Sequence, residues 1–379
     1  MNRAMRSHIS KWGPLFALLF AGGAQAALAQ DPPWGLPPGR STIAPAVDHL
    51  YNVIFWITGI TFVGVEGLLL WFCFRYRRRP GGKPGYTHGS NTAEIIWTVS
   101  PALVLVFIAI YQFAAWKRAK IEFPDPKDPN VVTVQAFAQQ FAWNFRHPGA
   151  DGAFATDDDV MLNKRFWLPA GSVAYMPLRS VDVIHSFFLF QMRVKQDSVP
   201  GLVNRVWFQP TGFYVAKVDK SATLFNSKFK ENWRPKDTQK KWEGEFKFEF
   251  VSTEDPENRE KEFQDKYGSK IVAIDTSLQY QDGLFRPLSD ATTCTVIQNN
   301  EVRKGVAWRD VDYVIVPYEG TCAELCGLGH LTMQFEMWVL PRKAYDYWMA
   351  QDGNYAENAT EASLTFWQQW KEPIRKTTP

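Results

Sequence analysis

Two long apolar stretches constrain this chain more than any other feature. They cover residues 53–74 and 95–116, and each is about 20 residues long, enough to cross a bilayer as a helix. A backbone within lipid must satisfy its own hydrogen bonds, so we expect a helix for each stretch. Basic residues lie in the connection between them: Arg75, Arg77, Arg78, Arg79 and Lys83. By the positive-inside rule this connection is cytoplasmic, which predicts a transmembrane hairpin over 53–116 with both ends outside.

The residues before the hairpin have the pattern of an export signal. Arg3, Arg6 and Lys11 precede a short apolar run, and small residues follow it in an Ala-x-Ala arrangement. This pattern predicts a secretory signal peptide over 1–29. An uncleaved anchor is the alternative, but the apolar run is short for that. Residues 30–52 are rich in Pro and Gly at their start and are predicted to be a periplasmic N-terminal segment.

The chain after the hairpin shows a β pattern interrupted by a charged region. Short runs rich in β-branched and aromatic residues, separated by Pro, Gly and Asp, predict a sandwich or barrel. Its first part is expected over 117–214 and its second over 311–341. Residues 215–310 are densely charged but keep their aromatics, which predicts a folded inserted subdomain. An amphipathic helical tail is expected over 342–379. The fold class is thus a membrane-anchored all-β protein.

One loop in the second β part carries the chemistry. Cys322, Cys326, His330 and Met333 lie close together among glycines. Thiolate, thioether and imidazole ligands favour copper or iron-sulfur chemistry, and the spacing does not fit the usual zinc patterns. We therefore predict a copper electron-transfer loop. A disulfide between the two cysteines, or a redox-active pair, is the competing interpretation.

One histidine outside the loop is a candidate metal ligand, and two acidic residues lie in or near the membrane spans. His185 is the only His between residue 147 and the loop, so it is the candidate for the missing ligand. Glu66 lies inside the first span, where it either has a function or bonds into a neighbouring subunit. Glu94, just before the second span, has by itself the pattern of an ordinary charge at a helix start. The net charge of +3 gives no indication of a nucleic-acid partner.

These motifs resemble subunit II of the haem-copper cytochrome c oxidases. The resemblance rests on four runs: Cys322-Ala-Glu324-Leu-Cys326-Gly with His330 and Met333, Asp182-Val-Ile-His185-Ser, Lys195-Gln-Asp197-Ser-Val-Pro-Gly201, and Glu94-Ile-Ile-Trp97-Thr leading to Pro101. The family implies a two-helix anchor and a cupredoxin-like Greek-key domain. It also implies a binuclear copper centre, CuA, and a location in the bacterial inner membrane with the C-terminal domain in the periplasm.

The resemblance also implies roles for single residues. The six residues that would hold two copper ions are His185, Cys322, Cys326, His330, Met333 and, through its carbonyl, Glu324. The Glu324 side chain would reach a magnesium ion shared with subunit I. Glu94 would lie at a proton-uptake path, and Asp182 and Asp197 near the surface where cytochrome c docks. The electrons would enter at Phe141 and Trp143.

As a whole, the resemblance implies an electron-transfer subunit of an aa3-type-like, proton-pumping oxidase. Its partners would be subunit I, subunit III, cytochrome c and membrane lipid. Three features depart from the family pattern: Phe141 replaces the usual exposed Trp, Leu202 replaces an Arg, and the insertion separates His185 from the loop. The alternative function is a membrane-anchored copper-delivery or assembly factor. A quinol-oxidase subunit is disfavoured because that branch lacks the copper ligands retained here.

Overall fold

The structure, a computed structural model, describes eleven ranges of the chain: residues 36–82, 85–86, 88–149, 151–156, 158–217, 248–252, 259–274, 278–281, 284–287, 293–307 and 310–351. The predicted signal peptide lies outside the described residues. So do residues 218–247 of the predicted insertion and the part of the predicted tail after residue 351.

Two long helices occupy the predicted membrane spans. Helix α1 is Ala44–Arg75 and helix α2 is Asn91–Lys120, so each extends past its apolar stretch at both ends. Ser90 caps α2 by accepting a hydrogen bond from the N–H of Ala93 at 3.4 Å. Both helices are long and apolar enough to cross a membrane. Their large apolar side chains are mostly exposed, as expected of a surface that lipid or other helices cover.

Strands dominate the chain after α2. In chain order they are β1 Val131–Thr133, β2 Gln135–Gln139, β3 Ala142–His147, β4 Val160–Asn163, β5 Arg165–Pro169, β6 Val173–Ser180, β7 His185–Leu189, β8 Val194–Ser198, β9 Asn204–Phe208, β10 Gly212–Lys217, β11 Phe248–Ser252, β12 Val272–Ala273, β13 Leu278–Gln281, β14 Leu284–Pro287, β15 Thr293–Gln298, β16 Glu301–Ala307, β17 Tyr313–Val316, β18 Tyr318–Cys322 and β19 Gln334–Leu340. Helix α3 is Arg259–Tyr267 and helix α4 is Arg342–Gln351. The predicted fold class is confirmed, because two apolar helices precede a β-sheet-rich domain.

Two of the sheets form a sandwich around an aromatic core. One has the order β1-β6-β2-β3-β4, with β9 beside β6, and the other has the order β5-β19-β18-β7-β8. Phe335 of β19 lies at the centre of this core. Its ring is 5.6 Å from that of Trp143, 5.4 Å from that of Phe145 and 4.8 Å from that of Phe187. Rings this large and this closely packed hold the two sheets in one relative position.

The described part of the insertion continues a sheet of the β domain. The third sheet has the order β11-β10-β17-β12-β15-β16, in which β10 and β17 border the insertion. The ring of Phe213 on β10 lies 5.7 Å from that of Phe263 on α3, and Tyr267 lies 5.0 Å from Tyr313. The predicted start of the insertion at residue 215 falls inside β10. The insertion thus shares a core with the strands that flank it.

Polar contacts join the N-terminal part of α1 and the C-terminal end of α2 to the β domain. Arg193, in the turn between β7 and β8, pairs with Asp48 of α1 at 2.5 Å. Trp207 Nε1 donates to the carbonyl of Arg118 at 3.2 Å, and Lys120 Nζ donates to Gln196 Oε1 at 2.8 Å. The anchor therefore contacts the domain through α1 and α2 together.

Candidate metal centre

The predicted copper loop connects two paired strands. β18 ends at Cys322 and β19 begins at Gln334, and Thr321 pairs with Gln334 across the two strands. The N–H of Cys322 donates to the carbonyl of Met333 at 3.0 Å, which closes the loop at its base. The first and last predicted ligands of the loop are thereby brought side by side.

His185 reaches this loop through the neighbouring strand. It is the first residue of β7, which runs antiparallel to β18 with Phe187 opposite Cys322. The N–H of Ala323 donates to the carbonyl of Ser186 at 3.0 Å and continues this pairing into the loop. Strand pairing thus joins residues that are 137 positions apart in the sequence.

Five predicted ligands converge at this point. Cys322 Sγ lies 3.9 Å from His185 Nδ1 and 4.0 Å from Cys326 Sγ. Cys326 Sγ lies 3.4 Å from His330 Nδ1 and 3.3 Å from Met333 Sδ. His185 and Met333 are fully buried, Cys322 and Cys326 are at most 5% exposed, and His330 is half-buried. The donor atoms therefore face one another in a nearly dry pocket.

The two thiols differ in their readiness to ionise. Burial raises the pKa of Cys322, but hydrogen bonds with His185 and the backbone outweigh it and lower this pKa to about 6. Burial raises the pKa of Cys326 to about 11, and the charge of Cys322 adds to the effect. Two anions this close in a low dielectric repel each other, so the pair holds one proton near neutral pH. A bound cation would remove that repulsion and the proton with it.

The donor set fits a copper ion. Soft sulfur ligands together with imidazole suit copper. The side-chain donors are 3.3–4.0 Å apart, and two ligands that are each roughly 2.0–2.3 Å from one metal have about this separation. One possible ligand atom from each of His185, Cys322 and Cys326 lies within 4.8 Å of the others. The residues thus match the predicted ligands in type and spacing.

Comparison with known proteins shows what the chain is similar to. Residues 30–115 match the family model described as cytochrome c oxidase subunit II, transmembrane domain. The chain is similar to cytochrome c oxidase subunit II proteins. It is 28% identical over 218 residues to the alternative cytochrome c oxidase subunit 2 of Bradyrhizobium diazoefficiens, covering 52% of this chain and 76% of that protein.

Two further likenesses are more limited. The subunit 2 of Alkalihalophilus pseudofirmus is 30% identical over 171 residues, which covers 44% of this chain and 48% of that protein. The matches thus span between about half and three quarters of the relatives' own length. The solved periplasmic domain of subunit II (CoxB) of Bradyrhizobium japonicum is 14% identical, covers 59% of this chain and 94% of that one, and has a TM-score of 0.28.

Phe141 lies against the predicted copper loop. It stands in the short turn between β2 and β3, since Gln139 pairs with Ala142. A Cβ added at Gly329 would lie 2.4 Å from Phe141 Cγ, and one added at Gly327 would lie 3.0 Å from Phe141 Cζ. The ring therefore packs directly on the glycine backbone of the loop, where any larger residue would displace it.

Trp143, the second predicted point of electron transfer into the chain, lies inside the sandwich. It is fully buried, and its ring is 6.3 Å from that of His185. Phe141, by contrast, is only half-buried. A donor protein at the surface can therefore contact Phe141 directly, whereas Trp143 packs beneath a ligand.

Asp182 contacts the site more closely than a residue at a docking surface needs to. Its Oδ1 lies 2.8 Å from His185 Nε2 and also accepts the N–H of Val183 at 2.7 Å. Its Oδ2 accepts the N–H of Gln140 at 2.7 Å. Burial raises the pKa of this carboxyl, but these hydrogen bonds outweigh it and hold the pKa below its usual range.

The other predicted site residues lie at or away from the edge of the cluster. The carbonyl oxygen of Glu324 is 3.3 Å from Cys322 Sγ, while the Glu324 residue is exposed. Asp197 is exposed and accepts a hydrogen bond from Ser186 Oγ at 2.7 Å. Glu94 lies in the first turn of α2, in the membrane hairpin rather than in the β domain.

Gln140 is the residue that the sequence reasoning missed. Its Nε2 donates to the carbonyl of Cys326 at 2.5 Å, so it contacts the copper loop directly. A glutamine in a short polar turn has no pattern that indicates such a role. Its position beside Phe141, a predicted point of electron entry, was the one signal in the sequence that could have pointed to it.

Proposed function

We propose that this chain is the electron-accepting subunit II of an aa3-type-like cytochrome c oxidase. It takes electrons one at a time from a periplasmic cytochrome c and passes them to haem in subunit I. There oxygen is reduced to water in a reaction coupled to proton pumping. The observation that carries the proposal is the convergence of two thiols, two imidazoles and a thioether within 4.0 Å contacts at one end of a sandwich.

The proposed ligands are those of the loop and of β7. His185, Cys322, Cys326, His330 and Met333 would hold two copper ions, with the carbonyl of Glu324 as a further ligand. When bound, a binuclear copper centre supplies one-electron transfer with little change in geometry. Iron-sulfur chemistry is less well matched, because a Rieske centre uses two thiolates and two imidazoles without a thioether, whereas Met333 Sδ lies 3.3 Å from Cys326 Sγ here.

The chain itself supplies a frame that moves little. The loop is closed at its base by the hydrogen bond from Cys322 to Met333, and β18 is paired on both sides, by β7 and β19. Ligands on such paired strands keep their positions when the charge of the site changes. Burial of His185 and Met333 keeps water from the inner side of the cluster, which limits solvent reorganisation.

Phe141 supplies the proposed contact with the donor. Its ring covers Gly327 and Gly329 next to the ligands and remains half-buried at the surface. A donor whose haem edge packs on this ring would be separated from the site by one side chain and the loop backbone. This placement supports electron transfer into the chain through Phe141 despite the absence of an indole.

The remaining partners follow from the family resemblance. The Glu324 side chain would bind magnesium at the interface with subunit I, and Glu94 would serve proton uptake at the cytoplasmic end of α2. Subunit I and subunit III would cover apolar faces of the hairpin in the bacterial inner membrane, with the β domain in the periplasm. The exposed apolar surfaces of α1 and α2 support contacts of this kind.

Copper content and the electron paramagnetic resonance spectrum of the purified chain test the proposal. We expect two copper ions per chain and a mixed-valence signal shared by both. Cys326→Ser should lose that signal and the rapid oxidation of cytochrome c by the assembled oxidase. Cys294→Ser is the matched control, because Cys294 is a buried thiol on β15 outside the site, and it should retain both.

A single copper with a mononuclear signal in the unaltered chain would overturn the proposal. That result would instead favour the copper-delivery factor, which transfers its metal and needs no shared pair of ions. Normal oxidation of cytochrome c by an oxidase that carries Cys326→Ser would overturn it equally.

A further inference from the structure

The side-chain carboxylate of Asp182 forms hydrogen bonds within the chain. Its two carboxylate oxygens contact His185 Nε2 at 2.8 Å, the N–H of Val183 at 2.7 Å and the N–H of Gln140 at 2.7 Å. Its side chain is only 30% exposed. A carboxylate held by three neighbours has little freedom to turn toward a docking protein, so its main contacts are within the chain.

Gln140 continues this set of contacts to the other half of the site. Its backbone N–H donates to Asp182, and its side-chain Nε2 donates to the carbonyl of Cys326. Cys326 lies on the copper loop, while His185 comes from β7. The hydrogen bonds therefore run from His185 through Asp182 and Gln140 to Cys326, over residues that are far apart in the sequence.

We propose that Asp182 and Gln140 are positioning residues that hold His185, the copper loop and the Phe141 ring in one fixed arrangement. This inference rests on the proposed function. Neither residue is a metal ligand; each acts through a neighbour. Asp182 orients the His185 ring, and Gln140 holds the loop backbone at Cys326 and places the adjacent Phe141 on Gly327 and Gly329.

The chemistry of a metal-binding imidazole explains the need for Asp182. His185 Nδ1 faces Cys322, so this nitrogen must be free of its proton to bind a metal. The proton then resides on Nε2, which donates it to Asp182. A carboxylate in this position fixes the tautomer and the ring orientation and makes the other nitrogen a stronger donor. Loss of such a partner typically lowers metal affinity by about 10- to 100-fold.

Asp182→Asn is the first test, with Asp197→Asn as its matched control. Both changes remove one negative charge near the same surface, but Asp197 bonds to Ser186 rather than to a ligand. We expect Asp182→Asn to lower copper affinity by about 10-fold or more and to change the copper hyperfine pattern. If the change weakens binding of one copper oxidation state ten times more than binding of the other, the reduction potential should shift by about 59 mV. Asp197→Asn should leave spectrum and potential unchanged.

Gln140→Ala is the second variant, and it lies in an exposed turn that should fold readily. We expect the same direction of change in the copper spectrum, with a smaller loss of affinity. Gln140→Glu should fail to restore the spectrum, because a carboxylate cannot donate to the Cys326 carbonyl. Thermal unfolding of each purified chain shows whether any change is a general loss of structure.

The outcomes separate this inference from the proposed function. If the unaltered chain shows no shared two-copper signal, the proposed function fails. If the unaltered chain shows that signal but Asp182→Asn and Gln140→Ala leave the spectrum, potential and copper affinity unchanged, the positioning role is wrong. A pure docking role would give a third pattern, in which Asp182→Asn and Asp197→Asn both weaken cytochrome c binding in a salt-dependent way and both leave the copper spectrum unchanged.

Discussion

Two clusters of buried polar side chains in the sandwich differ in what those side chains face. On β7 and the copper loop, His185 faces two thiols, and their donor atoms point at one another. On β3, Arg146 pairs with Asp159 at 3.4 Å, and the neighbouring His147 accepts the N–H of Trp167 at 3.4 Å. Both clusters are almost dry.

This difference distinguishes the proposed metal site from a structural cluster. Arg146 faces a countercharge and His147 Nε2 faces a backbone donor, so both contacts are made within the fold, whereas His147 Nδ1 has no hydrogen-bond partner among the described residues. Several lone pairs that converge on one point are satisfied by a shared proton or by a bound metal cation. Burial of a histidine therefore says little about its role, whereas the atoms that surround it say a great deal.

The largest expected effect comes from replacing each of the two buried histidines separately. His185→Gln removes an imidazole ligand, so the shared two-copper signal should disappear and copper affinity should fall by well over tenfold. His147→Gln should keep two copper ions and the same spectrum, since His147 is remote from the cluster. Copper analysis and electron paramagnetic resonance of both variants check this. If the two substitutions alter the copper signal equally, His185 and His147 do not differ in their roles as proposed.

Asp159→Asn should destabilise the chain without affecting copper. The change leaves the buried Arg146 without its countercharge, which typically costs about 3–5 kcal/mol. Thermal or denaturant unfolding of the detergent-solubilised chain measures the loss. The double variant Arg146→Met with Asp159→Leu should recover much of it, because the unpaired charge is gone. If the single variant unfolds like the unaltered chain, the pair contributes nothing to stability.

His147 should make the fold sensitive to acid. Burial lowers the pKa of His147 to about 3, while in the unfolded chain it is about 6.5. Below pH 6.5 the unfolded chain therefore binds a proton that the folded chain does not. The free energy of unfolding therefore decreases as the pH is lowered. The slope from this residue is about 1.4 kcal/mol per pH unit down to about pH 3.

In His147→Gln, unfolding should take up about one proton fewer between pH 6.5 and pH 3, so the free energy of unfolding should depend less steeply on pH. His88→Gln is the control, since His88 is exposed in the connection between the membrane helices. The same pH dependence in all three chains would show that His147 is not held neutral.

The smallest effect is expected from Gly329→Ala. Its new Cβ would lie 2.4 Å from Phe141 Cγ, so the ring must move off the loop. The backbone of Gly329, with φ of −88°, accepts alanine without strain. Because the ring must move, we expect the free energy of unfolding to decrease by about 1 kcal/mol. Electron transfer from cytochrome c should slow while the copper spectrum stays close to that of the unaltered chain. Gly85→Ala, which meets nothing within 4 Å, is the control.

Much of the site could be predicted because its residues are neighbours in the sequence. Cys322, Cys326, His330 and Met333 belong to one loop, and their spacing alone indicates a soft metal. His185 was predicted by elimination, and the structure places it 3.9 Å from Cys322. The roles of Asp182 and Gln140 could not be predicted this way, because a docking residue and an internally bonded residue have the same letters.

The sequence by itself determined the two membrane helices, the β character of the domain and the ligand types, since apolar length, residue alternation and donor chemistry are local properties. Only the tertiary structure decided which buried histidine joins the thiols and that Gln140, 186 positions from Cys326, contacts the loop. The physical reason is strand pairing. The register of β7 on β18 places His185 at the cluster, and the β2–β3 turn places Gln140 and Phe141 on the loop. Pairing of this kind depends on the whole sandwich.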